Sequence, residues 1–382
     1  MLIQCTKALL DRVGINLREQ APGAGPVAQP LGPLAAWHAH LVDLDIGNAI
    51  VLMNDATRFP VVICGPGPDD FSRLKALIRD AIVVALSMEG VNEAIIDAYM
   101  TQAGEIEFAR TANRSMVAKL KKAVSDISYV SSFVDENTLI QRYASIAAGR
   151  LEQRLPDGTD LCPLDETLKQ LGREFGMSED GTPRPVLDVE LYQLKIQLEI
   201  DGFDIWRRVL VPSNFSFRHL HRVIQAVFDW QNYHLHLFEA RGQGPRPKEI
   251  VMNDGADILD CFDPDQYDIL QEAVTALGDI FPTHDDVIYE YDFGDSWIHT
   301  ITLEGIVRSN AFEATYLEGN GERPPEDIGG PWGYIDYVRV MADPSDPEHE
   351  SMRLWAKSQT AWQLTPEELQ RKLRNCTSGF GE

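Results

Sequence analysis

The clearest pattern in the chain is a strict alternation of apolar and polar side chains between residues 192 and 200. The apolar positions are Tyr192, Leu194, Ile196, Leu198 and Ile200, and every residue between them is polar or charged. A period of two predicts a β-strand with one face buried and the other exposed to water. Gly202 predicts a turn, and Ile205–Val211 predicts a second strand that returns beside the first.

The segment after this strand pair has apolar residues at helical spacing. Leu220, Val223, Ile224 and Val227 form an apolar stripe within Phe217–Phe228, and Ser216 is a candidate N-cap. Similar patterns predict the remaining elements of this half. The predicted strands are Leu235–Ala240, Glu249–Met252, Val287–Phe293 and Trp297–Val307, and the predicted helices are Gln266–Leu277, Tyr334–Met341, Glu348–Lys357 and Pro366–Arg374.

The N-terminal half mixes short strands and helices in the same way. Its predicted strands are residues 1–5, Ala36–Leu44, Ala49–Met53, Phe59–Cys64 and Glu105–Ala109, and its predicted helices include Lys7–Val13, a long helix after Asp69 or Asp70, Val91–Met100, Ser115–Ser125 and Leu139–Ala148. The stretch from Leu155 to Pro185 is rich in proline and glycine, with one short helix predicted at Leu164–Phe175.

These patterns predict an α+β fold with two domains, each a mainly antiparallel sheet packed with helices. A length of 382 residues also favours two domains over one core. We place the first domain at residues 1–154, a Pro/Gly-rich connector at 155–187, and the second domain at 188–382.

The charge is strongly negative and unevenly distributed. Residues 1–185 carry 18 Lys and Arg against 24 Asp and Glu, and residues 186–382 carry 16 against 35, so the two parts have net charges of −6 and −19. An acidic surface repels a phosphate backbone, which makes bare nucleic acid an unfavourable partner for the C-terminal half. A basic partner protein or a bound cation fits better, although such charge can also serve solubility alone.

Other totals restrict the cellular setting. No apolar run approaches the roughly 20 residues of a membrane helix, and the first residues, Met1–Cys5, lack the pattern of a signal peptide. The cysteines are odd in number and form no CxxC pair: Cys5, Cys64, Cys162, Cys261 and Cys376. These features predict a protein of the reducing cytoplasm, with no disulfide framework and no membrane association.

The first group with candidate chemistry is His234-Leu235-His236. Residues two apart on a strand share a face, so both imidazoles should lie on the side of Phe238. Two such imidazoles can bind a divalent metal when carboxylates approach from a neighbouring strand. The structural alternative is a polar strand edge whose histidines hydrogen-bond to loops.

The second group lies at a predicted hairpin, Tyr291-Asp292-Phe293-Gly294-Asp295-Ser296-Trp297. Asp292 and Asp295 end its two strands and could converge there, and His299 follows on the face of Trp297 and Ile301. The structural alternatives are that Asp295 accepts hydrogen bonds from turn N–H groups, that Asp292 fixes a nearby Arg or Trp, and that His299 lies in the core.

The third group is Pro324-Pro325-Glu326-Asp327-Ile328-Gly329-Gly330. Prolines stiffen the entry and glycines permit unusual backbone angles, so Glu326 and Asp327 should be held in place. They could provide metal ligands or an acid/base pair. Alternatively, the loop seals the edge of the core, with Trp332 and Tyr334 inserted.

Taken together, these motifs resemble the plasmid pRiA4b ORF-3-like family over roughly residues 188–360. The resemblance rests on Ile205–Pro212, Leu220-His221, Phe228-Asp229-Trp230, His234–Phe238, Tyr291–His299 and Pro324–Gly330. It implies an α+β fold and a plasmid or mobile-element setting, while residues 1–154 resemble an uncharacterised domain that accompanies the family. Some relatives carry a resolvase-like label, which the acidic C-terminal half does not support.

We therefore carry three hypotheses. The first is a protein-interaction module that binds a protein partner through the histidine strand and the Gly/Pro loop. The second is a metal-dependent hydrolase, such as a nuclease, whose divalent metal is bound by His234, His236 and Asp295 within a site built from His234, His236, Asp292, Asp295, His299, Glu326 and Asp327. The third, a resolvase-like accessory of DNA recombination, follows from the family label only.

Overall fold

A computed structural model describes residues 1–14, 32–44, 47–111, 113–178, 180–241, 248–251, 267–284, 286–359 and 364–378. It divides the chain into two compact units. Unit 1 contains Met1–Val189 and Ser309–Phe312, and unit 2 contains Glu190–Arg308 and Glu313–Glu382. Both combine a sheet with helices, so the predicted α+β class is confirmed. The predicted connector 155–187 contributes a helix and lies within unit 1.

Unit 1 is built on a five-stranded sheet with the order β4-β3-β2-β1-β5. Its strands are β1 Leu2–Cys5, β2 Ala36–Leu44, β3 Gly47–Asn54, β4 Pro60–Cys64 and β5 Glu107–Arg110. β2, β3 and β4 pair antiparallel, whereas β1 pairs in parallel with both β2 and β5. A small antiparallel ribbon, β6 Gln153–Arg154 and β7 Asp160–Leu161, lies outside this sheet.

The helices of unit 1 are α1 Lys7–Val13, α2 Pro68–Ser72, α3 Leu74–Met88, α4 Glu93–Ala103, α5 Arg114–Tyr129, α6 Arg142–Arg150 and α7 Pro163–Phe175. Helices α3 and α6 pack on β4 and on each other, and α5 packs on β2 and β3. The apolar spacing of α3 explains this arrangement, because Leu74, Leu77, Ile78, Ile82 and Leu86 are all buried.

Unit 2 is built on an eight-stranded sheet with the order β12-β11-β10-β13-β14-β8-β9-β15. Its strands are β8 Val189–Leu198, β9 Ile205–Pro212, β10 His236–Arg241, β11 Lys248–Val251, β12 Asp268–Gln271, β13 Asp286–Tyr291, β14 Trp297–Ser309 and β15 Thr315–Asn320. The β8–β9, β9–β15, β10–β11, β10–β13 and β13–β14 pairs are antiparallel, and β11–β12 is parallel.

Helix α8, Phe217–Phe228, is the central helix of unit 2, with ten of its twelve residues buried. The other helices are α9 Gly330–Ala342, α10 His349–Gln359 and α11 Pro366–Ser378. α11 packs against α8 and β15. The core between α8 and the sheet includes fully buried Phe217, Phe228, Phe238, Tyr289 and Trp297, and the alternation predicted for residues 192–200 matches the alternating burial of β8.

The helix predicted at Gln266–Leu277 is wrong where the structure describes it. Asp268–Gln271 instead forms β12, paired in parallel with β11, and a short 3₁₀ turn follows at Leu277–Asp279. Pairing at the sheet edge therefore outweighs the local helical spacing of this segment. Strand β15 was not predicted, because its residues, Thr315–Asn320, pair along β9 without an alternating buried face.

Two further observations concern the predicted cellular setting. No helix in the described ranges is both long and apolar enough to span a bilayer. Cys5, Cys64 and Cys162 are free thiols, and Cys261 lies outside the described residues.

Candidate functional site

Three segments of unit 2 meet at one end of the sheet. The first is Asn232–Leu235, immediately before β10. The second is the tight turn Asp292–Ser296 between β13 and β14, and the third is the loop Glu326–Gly329 before α9. Antiparallel pairing of β10 with β13 brings the first two segments together, and the Asp292 N–H donates to the Leu235 carbonyl at 2.9 Å.

The centre of this site is a cluster formed by His234, Asp292 and Asp327. His234 Nε2 lies 3.4 Å from Asp292 Oδ2 and 3.2 Å from Asp327 Oδ1. One ligand atom from each residue lies within 4.8 Å of the others, a spacing at which they could hold a metal ion. The His234 side chain is 23% exposed and that of Asp327 is 50% exposed, so the cluster is open to solvent.

Each carboxylate of the cluster is oriented by a hydrogen bond to the oxygen that does not face His234. The Gly294 N–H donates to Asp292 Oδ1 at 2.9 Å, and the Tyr233 hydroxyl donates to Asp327 Oδ2 at 2.8 Å. Both aspartates adopt left-handed backbone conformations, with φ of 60° and 57°, which Asp tolerates better than most residues. The oxygens that face His234 are therefore the ones left free by these contacts.

Asp295 has a different role from Asp292. Its Oδ2 accepts a hydrogen bond from the Gly329 N–H at 3.2 Å, so it joins the hairpin turn to the Gly/Pro loop. Gly330 packs against the Asp295 backbone in the same place. The bond differs from the structural role expected for Asp295, because Gly329 lies in the loop and the turn N–H of Gly294 bonds to Asp292 instead. It sets the position of Asp327 relative to Asp292.

Glu326 lies beside the cluster but points into the protein. It is 1% exposed, and its Oε1 accepts a hydrogen bond from the Gln231 N–H. Its Oε2 is buried without a hydrogen-bond partner. Burial raises the pKa of Glu326, while the Gln231 N–H, the Tyr233 hydroxyl and the charges of Arg323 and His234 act in the opposite direction. Such a carboxyl group can exchange a proton with a neighbouring reactant.

His236 belongs to a separate, buried network. Its Nε2 lies 2.9 Å from Glu272 Oε2, and its ring stacks on His221 at 3.5 Å between centroids. His221 in turn hydrogen-bonds to the Tyr289 hydroxyl at 2.8 Å and to Asn232 Oδ1 at 2.6 Å. Because β10 begins at His236, His234 lies before the strand, and the two histidines do not share a strand face as expected.

His299 is fully buried in the core. Its ring packs edge-on against Phe228, with the centroids 4.9 Å apart, and its two nitrogens contact the Trp297 carbonyl at 3.0 Å and the Trp230 indole nitrogen at 3.4 Å. These contacts match the core alternative for His299. Thus the structure brings His234, Asp292 and Asp327 together, places Asp295 and Glu326 beside them, and places His236 and His299 in the buried interior.

Two of the buried histidines, His221 and His299, lead to a prediction about acid stability. Burial lowers the pKa of His221 to about 3, reinforced by the charge of His236, and burial lowers the pKa of His299 to about 4. The unfolded chain takes up these protons near pH 6.5, whereas the folded chain does not, so stability is present above pH 6.5 and falls as the pH falls toward 4. We expect each histidine to reduce the free energy of unfolding by about 2 kcal/mol between pH 7 and pH 5.

Urea unfolding followed by tryptophan fluorescence measures this loss. His299→Leu removes one titrating group with similar volume, so its stability should depend less on pH than that of the wild type. An equal pH dependence in both proteins would contradict a buried neutral His299.

Exposed apolar side chains lie close to the cluster in the sequence. Among the large hydrophobic residues of the described ranges that are exposed, three belong to the three segments and a fourth, Trp332, lies three residues after the last of them. We call these the apolar rim: Tyr233 at 51% exposure, Leu235 at 47%, Phe293 at 41% and Trp332 at 79%. The loop therefore inserts Tyr334, which is 8% exposed, but not Trp332, so the expectation for Trp332 was wrong.

Sequence reasoning missed several residues of this region. Tyr233 orients Asp327, and Glu272 and Arg218 complete the buried histidine network through a 3.2 Å contact between Arg218 Nε and Glu272 Oε1. Tyr233 could have been noticed as a hydrogen-bond donor adjacent to His234. Glu272 had no such signal, because it lies within the segment that the spacing predicted to be helical.

Comparison with known proteins identifies relatives of both parts of the chain. The model of the family described as plasmid pRiA4b ORF-3-like protein matches residues 190–372, and a domain of unknown function, DUF6933, matches residues 2–153. The uncharacterized protein y4hQ of Sinorhizobium fredii is 33% identical over 167 residues, covering 44% of this chain and 80% of that protein. The chain belongs to the plasmid pRiA4b ORF-3-like family.

A solved structure also aligns with part of the chain. It is the crystal structure of a protein of unknown function, MM3350, from Methanosarcina mazei Go1, at 30% identity and a TM-score of 0.41, covering 47% of this chain and 96% of that one.

Proposed function

We propose that this plasmid-associated family member acts as a protein-interaction module, and that unit 2 binds a basic, partly apolar segment of a partner protein. The observation that carries this proposal is the apolar rim: Tyr233, Leu235, Phe293 and Trp332 are exposed and lie on or next to the segments that form one polar cluster. Single exposed hydrophobic residues are common on protein surfaces. Four of them gathered at one place, two from tight loops, are typical of a recognition surface.

The residue types of the rim suit binding. Tyrosine and tryptophan provide large contact areas with few rotatable bonds, and they are enriched among the residues that dominate binding energy. The loops that carry them are fixed by hydrogen bonds, such as that from Gly294 to Asp292. Less side-chain and loop entropy is therefore lost on binding than with mobile loops.

The negative charge of unit 2 favours a basic partner. Residues 186–382 carry 16 basic against 35 acidic residues, and Asp292, Asp295 and Asp327 lie among the rim residues. Such a surface accelerates association with a basic partner and repels an acidic one. Aromatic faces at the same place also attract Arg and Lys through cation–π contacts. We therefore expect Arg or Lys next to an aliphatic or aromatic residue in the bound segment.

Selection from a random peptide library tests the proposal. The full chain is the bait, and counter-selection uses Trp332→Ser. We expect selected peptides to contain basic and apolar residues, to bind Trp332→Ser at least tenfold more weakly, and to lose affinity as salt concentration rises.

Leu354→Ser is the matched control, because Leu354 is also in unit 2 and is 57% exposed. It should bind the selected peptides as the wild type does. The proposal fails if no sequence class is enriched, or if Trp332→Ser and Leu354→Ser behave alike.

A second candidate function is a metal-dependent hydrolase, favoured by the open His234–Asp292–Asp327 cluster beside buried Glu326. A bound cation would activate water, and a carboxyl group with a raised pKa could transfer its proton. Turnover of a model phosphodiester or ester in the presence of Zn²⁺ or Mn²⁺, and its loss in Glu326→Gln, distinguishes this function from binding alone.

A further inference from the structure

The donor atoms of the His234–Asp292–Asp327 cluster do not satisfy one another. His234 Nε2 is shielded from solvent and has no hydrogen-bond partner of acceptable geometry, although a carboxylate oxygen lies 3.4 Å away on one side and another 3.2 Å away on the other. A single imidazole proton can serve only one of those oxygens. A buried polar atom without a partner is costly and calls for an explanation.

We propose that His234, Asp292 and Asp327 bind one divalent transition-metal cation, with Zn²⁺ or Mn²⁺ as the expected class. In a tetrahedral zinc site, ligand atoms about 2.1 Å from the metal lie about 3.4 Å from each other. The observed separations of 3.4 and 3.2 Å match this spacing. The cation would accept the lone pair of His234 Nε2 and neutralise both carboxylates.

The neighbouring contacts resemble the outer shell of a metal site. Metal-binding carboxylates are commonly oriented by hydrogen bonds to their remaining oxygens. Here Gly294 N–H and the Tyr233 hydroxyl fill that role for Asp292 Oδ1 and Asp327 Oδ2. Glu326, next to Asp327 in the chain, adds buried negative charge beside the cluster: it accepts a hydrogen bond from Gln231 N–H, and its charge interacts with that of His234.

The donor set also limits the identity of the metal. Ca²⁺ and Mg²⁺ prefer oxygen ligands in larger numbers. One imidazole and two carboxylates suit Zn²⁺ or Mn²⁺ and leave at least one coordination position for water. Three protein ligands from three separate segments would tie those segments together.

This binding has a consequence for the apolar rim. Tyr233, Phe293 and Trp332 lie one to five residues from the ligands His234, Asp292 and Asp327, so a cation would fix the loops that present them. That consequence rests on the proposed interaction function. Cation binding itself does not, and it can be measured without any partner.

Isothermal titration calorimetry of untagged, chelator-treated full-length protein tests the site, with Zn²⁺ and Mn²⁺ as probes and Ca²⁺ for comparison. We expect one Zn²⁺ per chain, with weaker binding of Ca²⁺. Asp292→Asn and Asp327→Asn should each weaken Zn²⁺ binding at least tenfold, because each removes an anionic ligand but keeps the shape of the side chain.

Asp295→Asn is the matched control. Asp295 lies in the same turn, but its Oδ2 accepts a hydrogen bond from Gly329 N–H instead of facing His234, and the amide oxygen of asparagine can accept the same bond. Asp295→Asn should change Zn²⁺ affinity by less than threefold. If the metal were bound by His234, His236 and Asp295 instead, Asp295→Asn should cause a large loss of affinity. The proposal is overturned if the wild type binds no stoichiometric Zn²⁺, or if Asp295→Asn is as damaging as Asp292→Asn.

Two further measurements cover the case in which a variant folds poorly. Co²⁺ absorption of the wild type should show the bands of a low-coordinate site, and they should disappear in His234→Gln. Hydrogen exchange of the wild type should slow in residues 232–235, 292–296 and 326–329 when Zn²⁺ is added. Unchanged exchange together with normal Zn²⁺ affinity would place the metal elsewhere. If Zn²⁺ binds as expected while the peptide selection fails, only the interaction function is refuted.

Discussion

Arg150→Met is expected to destabilise unit 1 by about 3–5 kcal/mol at pH 8 and by about 1.4 kcal/mol less at pH 5.5. Glu89 follows α3, is 2% exposed, and pairs with Arg150 at the end of α6. Helices α3 and α6 pack together on β4, so the pair lies in the core of the unit. Removing the guanidinium leaves a buried carboxylate without its counter-ion, which is among the costliest single changes in a protein.

The pH dependence follows from the direction of the pKa shift of Glu89. Burial raises this pKa from 4.5 to about 7, even though Arg150 acts to lower it. A raised carboxyl pKa means that the folded state binds more protons than the unfolded state between pH 4.5 and 7. The stabilising contribution is therefore present at low pH and is lost as the pH rises through 7. Without Arg150 the pKa of Glu89 rises further, so its protonation at pH 5.5 should partly restore the stability of the variant.

Hydrogen exchange with mass spectrometry measures this effect in unit 1 of the intact chain, in peptides covering Leu74–Met88 and Arg142–Arg150, after correction for the intrinsic exchange rate at each pH. The double variant Glu89→Gln/Arg150→Met is the matched control. It has no ionisable group at the pair, so its protection should not depend on pH in this window. Equal destabilisation of Arg150→Met at both pH values would show that the guanidinium acts by packing, including its contact 5.6 Å above the Phe312 ring.

The sequence predicted those elements whose local pattern and tertiary environment agree. β8 was predicted because one of its faces is buried, and Phe217–Phe228 because its apolar stripe meets the sheet. The segment from Asp268 to Leu277 was mispredicted because its apolar spacing suits a helix, whereas its neighbour β11 offers an open edge for pairing. Such pairing depends on residues distant in the sequence and leaves little local trace.

The candidate site was likewise predicted only in part. Sequence alone named His234, Asp292 and Asp327 among seven candidates, because histidines and carboxylates at strand ends and glycine-rich loops tend to converge. It could not choose among them. That choice depends on the residue at which β10 begins, since His236 starts the strand and turns inward to Glu272 while His234 stays outside it. It also depends on left-handed conformations at Asp292 and Asp327, which no residue pattern announces.

Three glycine-to-alanine substitutions in unit 2 are expected to give a graded loss of stability that isolates the contact between the loop and the hairpin turn. Gly330 has a φ of 69°, and a Cβ there would lie 2.3 Å from the Asp295 carbonyl oxygen. Gly329 has a φ of 92° but meets nothing closer than 3.9 Å. Gly305 in β14 has neither a positive φ nor a neighbour within 4 Å.

Each substitution therefore adds one cost to the previous one. Gly305→Ala should change the free energy of unfolding by no more than about 0.5 kcal/mol. Gly329→Ala forces an L-residue into the left-handed region, at about 1–2 kcal/mol. Gly330→Ala adds displacement of the Asp295 backbone to that strain, for a total of about 3 kcal/mol or more.

Urea unfolding followed by tryptophan fluorescence gives the three values, since Trp230 and Trp297 are buried in unit 2. Zn²⁺ affinity adds a second readout, because moving Asp295 shifts the turn that carries Asp292 relative to the loop that carries Asp327. Gly330→Ala should weaken Zn²⁺ binding in the folded protein, and Gly305→Ala should not. Equal stability losses for Gly329→Ala and Gly330→Ala would mean that backbone conformation alone, and not the close contact with Asp295, holds the two loops in register.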